Sequence, residues 1–283
     1  MKPGTSEPAS IRWFDTTLRD GEMALSRKLT AEQKVQFALH LEAMGIDVLE
    51  VGYPGAFPKD AVEIRRVAEA VTMPTICALS GSNPDEITQA AIALKSAQRS
   101  RINLFTPIRL SQRDRLSEAQ TLEQIQTSVT LARNHCEEVQ WSAFDATRCD
   151  PEWLCRTVET AIRSGATTIC IPDSLGVSTP ADFTQLLDTV RNQVPNLADV
   201  AIAVHCHDDQ GLAVQNSLAA LSCGVRQIEC SVKGLGARAG NANLRRIVDA
   251  LQDTSLNATR IDLTVLPQAE HLVMTWKETQ EHQ

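Results

Sequence analysis

No apolar run in this sequence approaches the ~20 residues needed to span a bilayer. Lysine and arginine are nowhere massed, and 27 of them against 35 acidic residues leave a formal net charge of −8. The first absence argues against a transmembrane helix. The second argues against nucleic acid or an anionic membrane as a partner, because both need a concentrated basic face. Eight cysteines occur, yet no two form a Cys-x-x-Cys pair. Cys77, Cys170, Cys206 and Cys230 fall in or beside apolar runs, so buried free thiols in a reducing cytoplasm are expected, not disulfides or a structural zinc site. The polar start, Met1 to Ser10, lacks the apolar core of a secretory signal and reads as a flexible tail. Also missing is a Gly-x-Gly-x-x-Gly after the first strand, the fingerprint of the doubly wound dinucleotide-binding sheet.

What is present is a regular alternation. With 43% apolar and 22% charged residues in 283, the chain has the composition of a soluble globular protein large enough for one α/β barrel. Strand-like runs cover 11–15, 47–52, 75–79, 101–105, 139–144, 167–171, 200–204 and 227–232. A helical pattern follows each. Thr30 and Gln33 make a capping box before Val35, Leu39, Leu41 and Met44, and Gly45 stops that helix. Asn83-Pro84, Asp150-Pro151 and Thr179-Pro180 pair a capping side chain with proline in the first turn. Eight strand–helix pairs spaced by roughly 30 residues predict a closed, all-parallel (β/α)8 barrel over 11–252. One more helix is expected near 266–278, in a C-terminal tail spanning 253–283.

In such a barrel the loops after the strands form the active face. Polar residues gather there: Asp20, Glu50, Asp145, Asp173, Ser174, His205 and His207, then a glycine-rich stretch from Gly234 to Asn241. His205 and His207 lie two apart at a strand end, so they face the same side and can hold one cation. An isolated His-x-His is more often an ordinary turn. Two histidines and an acid aimed at one centre are not.

Three stretches carry a resemblance: Asp15-Thr16-Thr17-Leu18-Arg19-Asp20-Gly21-Glu22, His205-Cys206-His207-Asp208-Asp209, and Gly234-Leu235-Gly236-Ala237-Arg238-Ala239-Gly240-Asn241-Ala242. They look like the defining motifs of the DRE-TIM metallolyases. Over about 11–252 the chain most resembles the catalytic barrel of the 2-isopropylmalate and homocitrate synthases. That resemblance implies divalent-metal ligands at Asp20, His205, His207 and Asn241, with manganese, magnesium, zinc or cobalt admissible. It implies a catalytic Arg19 stabilising an enolate oxygen, and it places Glu50, Asp145 and Ser174 at the substrate. Gly234, Gly236 and Gly240 would then lie in a loop whose amides cradle a phosphate of coenzyme A. The implied reaction joins an acyl-coenzyme A, acetyl above all, to a 2-oxo acid in a cytoplasmic homo-oligomer.

The chain departs from the synthase pattern where protons move. Phe144 replaces a glutamate, Ala237 another glutamate and Met23 a glutamine, while Ser174 replaces a threonine and keeps the hydroxyl. The segment from Thr106 to Leu116 lacks a histidine often present in the synthases. The sequence ends at Gln283, so a barrel without their C-terminal subdomains is expected. His271 and His282 are expected at the surface. Asp145, Asp209 and Glu229 are the remaining candidates for proton transfer. Two other readings stay open: a lyase that cleaves a hydroxy acid or hydroxyacyl-coenzyme A through the same enolate, and a non-catalytic metabolite-binding barrel.

Overall fold

A computed structural model describes residues 10–112, 116–252 and 260–281. The expected flexible tail therefore lies almost wholly outside the described residues, as does His282. Eight parallel strands close in sequence order into one barrel: β1 (Arg12–Asp15), β2 (Val48–Gly52), β3 (Thr75–Ser80), β4 (Ser100–Pro107), β5 (Glu138–Phe144), β6 (Thr168–Asp173), β7 (Ala201–Cys206) and β8 (Gln227–Cys230). Closure runs through the β1–β8 pair, in register from Arg12↔Gln227 to Asp15↔Cys230.

Helices cover the outside. They are α1 (Ala31–Met44), α2 (Asp60–Ala70), α3 (Pro84–Ala93), α4 (Glu118–His135), α5 (Pro151–Arg163), α6 (Pro180–Gln193), α7 (Ala213–Ala220) and α8 (Leu244–Leu251). A ninth, α9 (Leu266–Glu281), packs on α1 through Phe37 and Trp276, whose ring centroids lie 4.9 Å apart. The sequence signals at the helix starts act as expected. Thr30 and Gln33 form both halves of a capping box, and Asn83, Asp150 and Thr179 each accept a backbone N–H of the first turn. Among the described residues no helix is long and apolar enough to cross a membrane.

Two expectations shift. Leu39, placed by periodicity on the buried stripe of α1, is 44% exposed; Phe37, Ala38 and Leu41 fill that stripe instead. β8 stops at Cys230 rather than continuing to Val232. Beyond it the Ser231 N–H donates to the Ala242 carbonyl and the Val232 N–H to Thr17 Oγ1, so the chain leaves the ladder and enters a turn.

The main apolar core lies between sheet and helices. Within the barrel lumen a much smaller apolar cluster, Phe14, Val48 and Cys77, sits apart from it. Above and beside that cluster the lumen is polar. The buried Arg101 guanidinium donates to Gln140 Oε1 (3.2 Å) and Gln227 Oε1 (2.8 Å), and Gln140 Nε2 donates to Glu229 Oε1 at 2.6 Å. Branched aliphatic layers are the usual filling of such barrels. Here the filling is a hydrogen-bonded stack that leads upward to the active face.

Candidate functional site

Four chain segments bring the site residues to the carboxyl ends of the strands. After β1 the Arg19 and Gly21 N–H groups both donate to the Thr16 carbonyl, a tight turn that folds Asp20 back over the lumen. At the end of β7, His205 faces inward in register with Glu229 of β8. Two residues on, His207 pairs with Asn241 in an isolated antiparallel bridge. That bridge is extended by Asp208 N–H to Gly240 O (2.9 Å) and Ala242 N–H to Cys206 O (3.1 Å). It docks the loop after β8 against the end of β7.

The result is a tight group. Ligand atoms of Asp20, His205 and His207 all lie within 4.8 Å of one another, and all three residues are buried. His205 Nδ1 is 3.0 Å from Glu229 Oε2, and His207 Nδ1 is 3.3 Å from the Gly240 carbonyl. A carboxylate and a carbonyl only accept, so each Nδ1 carries the proton and each Nε2 presents a lone pair. Those two Nε2 atoms lie 3.3 Å apart. Two lone pairs at that distance repel unless a cation or a proton sits with them. Asn241 Nδ2 donates to Asp20 Oδ2 at 2.8 Å, while its Oδ1 is buried with no hydrogen-bond partner. A buried acceptor left unsatisfied is costly, and beside this group it is what a fourth metal ligand looks like before an ion is bound.

Charge points the same way. Arg19 donates from Nε to Glu50 Oε2 (2.6 Å) and from Nη1 to Asp20 Oδ1 (2.8 Å). One guanidinium thus faces the buried carboxyls of Asp20, Glu50 and Glu229, a deficit that a divalent cation offsets. Burial raises the Asp20 carboxyl, but Arg19 and then the two imidazoles overcome it and hold Asp20 well below the usual carboxylate range. Burial also raises Glu50, against the pull of Arg19. For His205 burial works downward, yet its bond to Glu229 wins and lifts it. His207 is pushed down to about 4 by burial and by the charge of His205.

Arg19, Asp20, His205, His207 and Glu229 line one side of a cavity of about 280 Å3. Ser174 also lines it; its Oγ accepts the Asp145 N–H at 2.9 Å and keeps its own proton to donate. Glu50 lies behind Arg19 and is not at the cavity wall.

The Asp145 carboxylate faces away from the cavity. Arg148 binds it (Nε to Oδ1, 2.7 Å) and Arg109 stands at 3.9 Å. Asp209 is likewise taken, by Arg238 at 2.9 and 2.8 Å. Of the three proton-transfer candidates only Glu229 reaches the cavity.

The glycine-rich loop is shaped by its own packing. Amides of Gly234 and Gly240 donate inside the loop, to Ser231 O and Ala237 O, so they do not form an open phosphate cradle. A Cβ at Gly236 would lie 2.6 Å from the Asn241 Cγ, and one at Gly240 2.3 Å from the Gly234 carbonyl oxygen. Gly236 makes room for the Asn241 side chain, and Gly240 for the Gly234 carbonyl that accepts the Asn241 N–H.

Sequence reading passed over Asn103 and Ser142. Asn103 Nδ2 holds Glu50 Oε1 at 2.8 Å, and Ser142 Oγ holds Asn103 Oδ1 at 2.9 Å. The alternation Arg101, Asn103, Phe105 along β4 was the available signal. Glu22, Asp60 and Glu63 also lie close enough to hold an ion, but the ammonium groups of Lys34 and Lys59 are already among them, at 2.8 to 3.4 Å.

A profile of the HMGL-like family matches residues 10–273. The chain is 42% identical over 274 residues to 2-isopropylmalate synthase of Rhodopseudomonas palustris strain TIE-1, covering 95% of this chain and 52% of that protein. It is 45% identical over 242 residues to the 2-isopropylmalate synthase of Aquifex aeolicus, covering 84% and 46%. The chain thus spans about half the length of the curated relatives it matches. Its fold superposes on HMG-CoA lyases of Brucella melitensis (TM-score 0.79, 20% identity, 95% and 99% covered) and Acinetobacter baumannii, the latter in complex with coenzyme A and 3-methylmalate (TM-score 0.80, 19% identity, 96% and 93% covered). By the family match over nearly its whole length, and by the three motifs that meet at the barrel mouth, the chain belongs to the HMGL-like family of the DRE-TIM superfamily.

Proposed function

We propose that the protein is a metal-dependent carbon–carbon bond-forming enzyme. It joins an acyl-coenzyme A, acetyl in the first instance, to a 2-oxo acid in a Claisen-type condensation, as its 2-isopropylmalate synthase relatives do by name. The observation that carries the reading is the facing pair of imidazole lone pairs beside Asp20 and the unpartnered Asn241 Oδ1. Asp20, His205, His207 and Asn241 would hold a divalent ion. Such an ion supplies Lewis acidity to a chelating 2-oxo acid.

The other groups have their own tasks. Glu229 fixes the His205 tautomer, and the Gly240 carbonyl fixes that of His207. Arg19, held by Glu50 and Asp20, keeps a permanent positive charge where an enolate oxygen becomes negative. Ser174 donates its hydroxyl proton to the substrate carboxylate. Phe144 transfers no proton, so deprotonation of the acyl group falls to another group, with Glu229 the one of the three candidate carboxyls that lines the cavity. The catalytic unit is 11–252, followed by an extension that carries α9 (Leu266–Glu281), in a cytoplasmic homo-oligomer.

The test is an assay with manganese or magnesium that follows free thiol from acetyl-coenzyme A across a set of 2-oxo acids. Thiol release that needs both substrates is expected. Cleavage of a hydroxy acid without thiol release selects the lyase reading instead. Ion binding with no turnover in either direction reduces the protein to a binding barrel.

A further inference from the structure

A second charged cluster is buried behind the turn that carries Arg19 and Asp20, where α1 and α2 meet the end of β2. Its centre is Lys34, in the first turns of α1, whose side chain is fully buried. An ammonium group has three protons and no acceptor, and three oxygens surround this one. They are Val51 O of β2 at 2.9 Å, Glu63 Oε2 of α2 at 2.8 Å and Glu22 Oε2 at 3.3 Å. Lys59, which is partly exposed, closes the cluster at 3.3 Å from Glu22 Oε1 and 2.9 Å from Glu63 Oε1.

Two of the Lys34 contacts bear on the site. Glu22 follows Asp20 by two residues in one short 3-10 turn, Gly21–Ala24. There the Met23 N–H donates to the Asp20 carbonyl, and the Leu29 N–H donates to Glu22 Oε1 at 2.8 Å. Val51 directly follows Glu50, whose carboxylate accepts Arg19 Nε at 2.6 Å. One ammonium thus ties together the two segments that place Arg19 and Asp20, without lining the cavity itself.

Charge makes this tie more than a packing contact. Without Lys34, the Glu22 and Glu63 carboxylates would stand close together, and close to Asp60, with less positive charge between them. Buried charges stripped of a partner are strongly destabilising. Glu63 is fixed within the 11 residues of α2, whereas Glu22 stands in a turn of four. The turn is the part that gives way, and Asp20 moves with it.

We propose that Lys34 is a positioning residue for the metal site, setting the place of the Arg19–Asp20 turn through Glu22 and the end of β2. Its effect on binding rests on Asp20 being a metal ligand, as in the proposed reaction.

The experiment compares manganese affinity by calorimetry with stability by urea denaturation, on the full chain. Lys34→Met removes the charge and keeps much of the length. Its manganese affinity should fall by about tenfold or more, the usual cost of losing a group that orients a ligand, and its urea midpoint should fall as well. Glu22→Gln keeps an acceptor for the Leu29 N–H and withdraws the charge that faces Lys34. It should weaken manganese in the same direction, and it carries the test if Lys34→Met does not fold. Leu41→Ala is the control. Leu41 is fully buried on the same face of α1, two turns further on, and its truncation removes only apolar packing. That variant should lower the midpoint and bind manganese as the wild type does. Wild-type affinity in Lys34→Met, or in Glu22→Gln where only that variant folds, overturns the proposal. An equal loss in Leu41→Ala also overturns it, because affinity would then follow global stability. A wild-type protein that binds no manganese overturns the metal site and this proposal together.

Discussion

At the scale of single residues, His205 and His207 are set apart by what their other nitrogens touch. The Glu229 carboxylate behind His205 adds charge as well as a fixed tautomer, whereas His207 has only the Gly240 carbonyl. Glu229→Gln keeps an acceptor and removes the charge. Manganese affinity measured by calorimetry should then fall by about 10- to 100-fold, the usual cost of losing a carboxylate behind a ligating histidine. The pH dependence follows from the same asymmetry. His207 stays neutral down to about pH 4, but His205 is raised and its proton competes with the ion for Nε2. Lowering the pH through the His205 pKa should therefore weaken manganese binding, by about tenfold per pH unit for one competing proton. The relevant carboxylate, Asp20, stays ionised over that range, so a pH-independent affinity from 5 to 8 would count against the arrangement.

At the scale of elements, the loop after β8 does the assembling. Its bridge to the end of β7 carries Asn241 to His207, and Gly236 leaves the gap that the Asn241 amide fills. Gly236→Ala places a methyl 2.6 Å from the Asn241 Cγ, so the amide must move. Manganese affinity should drop by about tenfold or more while far-UV circular dichroism stays unchanged. Affinity equal to wild type would mean that Asn241 is not a ligand. The glycines of this loop were legible in the sequence as a special backbone. Their purpose was not, because a sequence shows where glycine stands and not which side chain occupies the space it vacates. Asp145 teaches the same lesson: it follows β5 as a site acid should, but Arg148, three residues on, binds its carboxylate away from the cavity.

At the scale of the whole molecule, the barrel is sealed outside by an additional helix and filled inside by polar groups. Trp276 of α9 lies on Phe37 of α1 and is nearly buried. Trp276→Ala should cost about 3–5 kcal/mol, read as a lower urea midpoint with little change in slope. An unchanged midpoint would mean that α9 is not part of the cooperative unit. Inside, the chain of contacts from Arg101 through Gln140 to Glu229 and His205 couples the amino end of the barrel to its active face. Such a stack is favourable only when each member is satisfied, which explains why a lumen this polar is packed without a large apolar layer.

Architecture and motifs were determined by the sequence alone, because strand periodicity, helix caps and spacing are local properties that neighbouring residues settle between themselves. Asp20, His205, His207 and Asn241 could be named as one constellation in advance only through the resemblance of three motifs to a known family. Tertiary structure alone decided which carboxyls reach the cavity, that Phe144 lines it with Leu79, Phe105 and Pro172, and that Asn241 keeps an unpartnered oxygen. Those outcomes depend on barrel closure, which sets residues more than 200 positions apart beside one another, and no local pattern encodes that distance.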